Sequence, residues 1–392
     1  MINALRAHWA RNKKIWITIV VLFIATRLVL YGISVLGTRY LQPQVYQNWK
    51  QYRLTEEPQF LKLWAVWDSQ WYLNIAEYGY NDVRPFNPAR HSTVGFFPLY
   101  SALISSLTLL TRDFLFSALL ISNIFFLGAA FLMFKLVQKE MGEESAWRGL
   151  LYLFLFPTAY IFSAAYPESL LLFFWLAAAY AARKNRWLVA GGAGFCAAIT
   201  KSNGVFIGVI FLIVLIQKIV ELIRTRRERT GALSAIAPPL IALGLTVLGT
   251  TAVGMFHYIL TGDFFANSHV QHGAWSHVWV NPLQGIWTHI FKYQFDYAFN
   301  GVVAVLFLVL LVMGIRRIKI TYTIFAGVVI LFTASNGIMV GMTRYLASLF
   351  PFILLFASWG KNRYVHEVLV SVLVILQGCL FLFWMNGYWF TS

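Results

Sequence analysis

Residues 15–37 read IWITIVVLFIATRLVLYGISVLG, a run with a single charge, Arg27. A segment this apolar belongs in hydrocarbon, where every backbone N–H and C=O must be satisfied within the protein, so only helices and closed barrels can cross. The runs in this chain are helix-length and nearly uncharged, unlike the roughly ten-residue alternating strands of an outer-membrane barrel. The expected fold is therefore all-α, a polytopic transmembrane helical bundle. Only 12% of the residues are charged, against about 25% in a soluble domain. The first run is too long for a signal h-region and lacks a small-residue cleavage site, so it is expected to remain as an anchor.

Eleven spans are expected: 15–36, 114–137, 148–165, 169–182, 187–200, 204–222, 235–261, 299–315, 320–342, 345–359 and 365–388. Several are shorter than the usual 20 or so residues, which points to discontinuous helices inside the bundle. The segment FFPLYSALISSLTLL, 96–110, is short and carries Pro98. The positive-inside rule decides how to treat it. If it does not cross, one side collects Arg6, Arg11, Lys13 and Lys14, Lys139 and Arg148, the Arg183–Arg186 turn, the Lys218–Arg229 stretch, Arg316, Arg317 and Lys319, and Lys361 with Arg363. That side, with the N-terminus, is read as cytoplasmic, and 96–110 as a juxtamembrane or re-entrant helix. The chain then forms one integral membrane domain over 1–392, with two large extracytoplasmic loops, 37–113 and 262–298. No linker or internal repeat divides it.

The net charge of +16 sits in short loops between apolar segments. A nucleic-acid partner would need a basic face on a soluble domain, and none is present. The two cysteines, Cys196 and Cys379, lie inside apolar runs and imply neither a disulfide framework nor a thiolate metal site. GxGxxG, P-loop and HExxH patterns are absent, and the spacing of His269 and His272 lacks matching zinc ligands.

Against this background, "WAVWDSQWYLNIAEYGY", 64–80, places Asp68 among Trp64, Trp67 and Trp71. Taken as a continuous helix, it would set Asp68 on one face with Trp64, Trp71, Tyr72 and Ile75, and Glu77 roughly opposite. An acid flanked by indoles at an interface is partly desolvated, which suits it to accept a proton from a hydroxyl. The residues alone equally allow an aromatic belt in which Asp68 caps a helix. Glu168 stands in a YPES turn between two spans, and an isolated acid at membrane depth is a functional candidate by default. A divalent metal between Asp68 and Glu168 stays open, since hard cations take carboxylate oxygens, but two acids do not make a ligand set and the metal is left unknown.

The pattern WD-x-x-WYL-x-IA-x-x-GY, followed by GFFPLY (95–100), resembles the PIG-V-like mannosyltransferases. The likeness continues through FPTAYIFSAAYPESL (156–170), TKSNG (200–204), VQHGAW (270–275) and MTRYLASLFPF (342–352), in the family's order. The resemblance implies a GT-C glycosyltransferase fold and an inverting transfer of mannose from a polyprenyl phosphate donor to a glycan or glycolipid acceptor. By that resemblance Asp68 is the base; Glu168, as the isolated acid of the YPES turn, would be an acceptor hydroxyl ligand or a second acid assisting it. The donor phosphate needs fixed cations, for which Arg344 and Lys201 are the candidates. Trp67, Trp71, Tyr72, Gln271 and Trp275 would contact the sugars, since pyranose faces rest on aromatic rings. Ser101 stands where the family usually has proline, and Trp71 where it has histidine or phenylalanine, which leaves the acceptor undefined. The setting would be the plasma membrane in a bacterium and the endoplasmic reticulum in a eukaryote. Two rivals remain: a related transferase using another polyprenyl phosphate sugar, and a lipid or glycolipid transporter. The transporter would show midplane polar groups and an inverted repeat, neither of which the sequence carries.

Overall fold

The computed structural model describes residues 2–40, 59–225, 229–339 and 341–388. Part of the first expected loop, 41–58, therefore lies outside the described residues. Within them the chain is all-α, and its one extended pairing is a single antiparallel bridge, Trp279 to Asn336. The helices are α1 (Ile2–Tyr40), α2 (Gln59–Lys62), α3 (Ser69–Tyr78), α4 (Pro98–Thr111), α5 (Phe114–Met141), α6 (Glu143–Leu155), α7 (Glu168–Arg183), α8 (Trp187–Thr200) and α9 (Gly208–Thr225). They continue with α10 (Arg229–Thr261), α11 (Ala266–Gly273), α12 (Pro282–Lys292), α13 (Phe295–Met313), α14 (Ile320–Ala334), α15 (Met342–Ala347), α16 (Phe350–Trp359) and α17 (Arg363–Met385).

Among the described residues, five stretches are long and apolar enough to cross a membrane: 12–37, 114–141, 202–225, 232–261 and 363–385. Five shorter apolar helices, among them α4, α8 and α16, accompany them. Three expected spans are interrupted. The 148–165 run stops at Leu155 before Pro157 and continues as a 3-10 turn, Ala159–Ser163. The 320–342 run ends at Ala334, where Ser335-Asn336-Gly337 supplies turn residues, and 345–359 divides into α15 and α16 ahead of Pro351. These breaks concentrate near one end of the bundle, beside α3 and α4. Non-helical backbone at membrane depth is tolerated where protein buries it, and here Phe156, Tyr160 and Phe162 are all within the core.

The other end of the bundle is tied by a charged knot. Glu140, at the end of α5, accepts from Arg183 of α7 at 2.5 Å and from Tyr322 of α14 at 3.1 Å, with Lys319 at 3.3 Å. In the interior, Arg27 finds its polar partners on the broken span: its Nε donates to Ser163 at 2.8 Å, and its guanidinium lies 5.0 Å from the rings of Phe23 and Phe126.

Close backbone approach also shapes the site end. After α8 the chain turns at TKSNG, and Gly204 packs so tightly on α8 that a Cβ there would sit 1.8 Å from the Ala197 carbonyl oxygen. Trp175 of α7 donates to the Gly204 carbonyl at 3.0 Å and closes the corner. Gly204→Ala is expected to cost at least about 1–3 kcal/mol by overpacking. Gly32→Ala, at a position with nothing within 4 Å, should leave the thermal unfolding midpoint of the detergent-solubilised protein nearly unchanged. Equal midpoints for the two variants would contradict this packing.

Candidate functional site

The turn before α7 is stitched to the first loop by main chain and phenol. The Ala165 N–H donates to the Trp64 carbonyl at 2.8 Å. Tyr166 Oη donates to the Val66 carbonyl at 2.8 Å and accepts from the Asp68 N–H at 3.0 Å. Behind it, Ser122 of α5 donates to the Tyr166 carbonyl at 3.2 Å and meets Tyr100 Oη at 2.7 Å. Burial pushes the Tyr166 phenol well above its ordinary pKa, an effect that nearby Asp68 reinforces, so it stays protonated and keeps its donor.

The continuous helix expected over 64–77 breaks at Trp67, which adopts φ +56°. α3 starts at Ser69, so Trp64 does not share its face. Asp68 occupies the N-cap position yet makes no side-chain capping bond. Its carboxylate turns instead to α15, where Arg344 Nη1 donates to Asp68 Oδ2 at 2.7 Å. The same guanidinium approaches Glu168 Oε1 through Nε at 3.2 Å, an ion-pair contact without aligned hydrogen-bond geometry. Lys201 Nζ donates to that oxygen at 2.6 Å. The four side chains that the sequence singled out thus form one chain of charge: Asp68, Arg344, Glu168, Lys201. Two acids and two cations balance.

Burial differs along this chain. Glu168 is only 1% exposed, whereas the Asp68 side chain keeps 27% of its surface open. Both cations converge on Glu168 Oε1, and Oε2 is buried without a hydrogen-bond partner. It is an acceptor position that a hydroxyl could fill. Tyr345, which the sequence reading missed, floors the cluster with its ring 4.3 Å from Lys201 Nζ and 5.8 Å from the Arg344 guanidinium. Asn203, two residues beyond Lys201, is buried with both amide atoms unpartnered. The guanidinium stands between the two carboxylates where a bridging cation would have to sit. Among the described residues no group of three His, Cys, Asp or Glu side chains could hold a metal. The site therefore does not fit a divalent ion.

The aromatic residues divide. Trp71 and Tyr72 lie on the buried face of α3, Trp71 stacked on Phe96 at 5.3 Å and Tyr72 edge-on to Phe96 and Tyr100. They make core, not an open sugar platform. Trp275 packs on Trp71, Phe96 and His91 while staying partly exposed. Gln271 Nε2 donates to the Gly95 carbonyl at 2.9 Å, so the VQHGAW and GFFPLY stretches meet in space. Trp67 is partly exposed beside Asp68. Glu77 is exposed on the far side of α3.

The segment leading to Arg344 is fixed by the 262–298 loop. Val280 N–H donates to the Ser335 carbonyl at 2.9 Å, and Gly337 N–H to the Val278 carbonyl at 2.6 Å. His289 Nε2 accepts from the Met339 N–H at 3.0 Å, so its proton lies on Nδ1, which donates to the Gly285 carbonyl at 2.8 Å. Burial lowers the pKa of His289, in keeping with this neutral tautomer. Burial also lowers that of His277, which lies close enough to feel the opposing fields of Asp68 and Arg344. Gly341, at φ +78°, then turns the chain into α15.

Much of this framework coincides with a family comparison. The family model for the mannosyltransferase PIG-V matches residues 54–278, more than half of the chain. The chain belongs to the PIG-V mannosyltransferase family. It is accordingly a membrane glycosyltransferase. No individually curated protein matches it. The PIG-V match contains Asp68, Glu168, Lys201, Gln271 and Trp275, whereas Arg344 lies beyond its end and joins the others only through the fold.

Removing one member of a buried ion pair strands its partner, at a cost of about 3–5 kcal/mol. Glu168→Ala is therefore expected to lower the unfolding midpoint and the yield of folded protein sharply. Asp68→Asn, at the open end of the chain, should change both far less. Comparable losses in the two variants would contradict this gradient of burial.

Proposed function

We propose that this mannosyltransferase takes mannose from a polyprenyl phosphate mannose and transfers it, with inversion, to a hydroxyl of a lipid-linked or other glycan acceptor at the extracytoplasmic or luminal membrane face. The observation that carries this reading is the bridging of Asp68 and Glu168 by Arg344, next to Lys201. Inversion needs one in-line displacement: the acceptor oxygen bonds to the anomeric carbon as the bond from that carbon to the phosphate oxygen breaks. Asp68, partly open, takes the acceptor proton, and the polyprenyl phosphate leaves with the bonding pair.

Pairing holds the acid in reserve: Asp68 Oδ2 is occupied by Arg344 Nη1 until the donor competes for the guanidinium. A donor phosphate competes for Arg344 in bidentate fashion and for Lys201 as a point charge. As Arg344 turns toward phosphate, Asp68 is released from its ion pair and can meet the acceptor hydroxyl with the donor already in place. Glu168 stays buried, keeps Lys201 oriented and offers Oε2 to an acceptor hydroxyl. The surrounding membrane would be the plasma membrane in a bacterium or the endoplasmic reticulum in a eukaryote, with the N-terminus cytoplasmic.

Three experiments test the reading. Asp68→Asn should reduce transfer from a radiolabelled polyprenyl phosphate mannose by about 10² to 10⁴ while leaving donor binding intact, and Glu77→Gln should stay within a few-fold of the parent. Full turnover by a folded Asp68→Asn enzyme would remove the base assignment. Arg344→Lys keeps charge but loses the planar fork, so it should raise the KM for donor more than that for acceptor. An unchanged donor KM would place the phosphate elsewhere. For orientation, single cysteines replacing Ala89 and Thr225, both exposed, should react with an impermeant maleimide from opposite sides of sealed vesicles.

A further inference from the structure

α12 divides its surface into three sectors. At about 100° per residue, Gly285, Ile286 and His289 share one side and are buried. A Cβ at Gly285 would lie 2.3 Å from the Ala334 carbonyl oxygen, so this side is pressed against the end of α14. The next sector is Leu283, Trp287 and Phe291, which are 69%, 59% and 64% exposed. Trp287 and Phe291 set their rings 4.2 Å apart. The third sector carries Gln284, Thr288 and Lys292. A helix at a simple protein–water boundary needs two faces, one apolar and buried, one polar and wet. The Leu283, Trp287 and Phe291 sector, apolar and uncovered, calls for another medium.

We infer that α12 lies in the membrane interface, parallel to the bilayer plane, with Leu283, Trp287 and Phe291 inserted among the lipid chains at the level of the headgroups. At about 16 Å it is too short to cross roughly 30 Å of hydrocarbon. It packs on α13 and the end of α14, at the same end of the bundle as Arg344, to which its His289 is linked through Met339. It packs against α13, where a Cβ at Gly301 would lie 2.9 Å from Ile290, and α13 itself exposes Val302, Leu306 and Val309 at helical spacing. Those exposed apolar side chains call for lipid as their covering, and the Leu283 sector of the adjoining helix calls for the same. Tryptophan and phenylalanine on the apolar side, with lysine at the polar edge, are the composition that interfacial helices use. The lipid surface is thereby connected to the strap 335–339 that leads into α15.

The test is site-directed spin labelling of the full-length protein in liposomes, with Cys196→Ser and Cys379→Ser removing the native thiols. Nitroxides on cysteines replacing Leu283, Trp287 and Phe291 should collide with oxygen more than with a water-soluble nickel chelate. Labels replacing Gln284 and Lys292 should show the reverse. Three apolar positions are used so that loss of the Trp287 ring alone does not decide the result. Nickel accessibility equal in the two sectors would place the apolar stripe in water and overturn the inference. So would spectral broadening at 283, 287 and 291 that disappears on dilution with unlabelled protein, which would make the stripe a contact between two copies of the chain.

Discussion

A single guanidinium holds two carboxylates that arrive from distant parts of the chain. Arg344 reaches Asp68 across 276 positions of sequence, and Glu168 joins from the turn before α7. Each of these ions would be costly alone in so apolar a protein, since desolvation of one charge amounts to several kcal/mol. Gathered together, they compensate one another. The first loop, the YPES turn, the TKSNG corner and α15 must all be in place for that compensation to exist, so the charge chain and the local fold presuppose each other. At the opposite end, Glu140 with Arg183, Lys319 and Tyr322 applies the same device to α5, α7 and α14.

The sequence made the members of the chain visible because charges are so few. Asp68, Glu168, Lys201 and Arg344 stand out against long apolar runs, and the physics that makes isolated ions expensive there also brings them together. Their pairing was not legible. Arg344 and Lys201 read as phosphate ligands, and only the fold gives them the two acids as partners. Glycine and proline gave fair warning of the breaks near Pro157 and Pro351, yet the 148–165 and 345–359 runs are apolar enough to pass for unbroken spans. The left-handed Trp67 had no signal at all, because nothing about tryptophan favours φ above zero. Without that kink, Trp64 and Asp68 fall on one helical face; with it, Asp68 faces α15.

Aromatic residues were the least legible group. Trp71 and Tyr72 match a sugar platform as well as they match a core, and periodicity does not separate the two uses. The fold does so by placing Phe96 and Tyr100 against them. Tyr166 and Tyr345, ordinary in the sequence, turn out to orient and floor the ions. α12 shows the converse. Its burial pattern becomes meaningful only when Gly285 and His289 are seen to face Ala334 and Met339, which leaves the Trp287 side uncovered.

The stitching of Trp64, Val66 and Asp68 to Ala165 and Tyr166 sets both acids on one support. Both acids ride on the same hydrogen-bonded seam, backed by Ser122 and Tyr100, so they form a fixed anvil. Arg344 comes from a six-residue helix entered through a left-handed glycine, held by a short ladder, one imidazole and the Thr158 hydroxyl, and buried along most of its length. If the donor phosphate draws on Arg344 as proposed, both carboxylates keep the backbone positions that the seam gives them, so the acceptor meets acids already set in place.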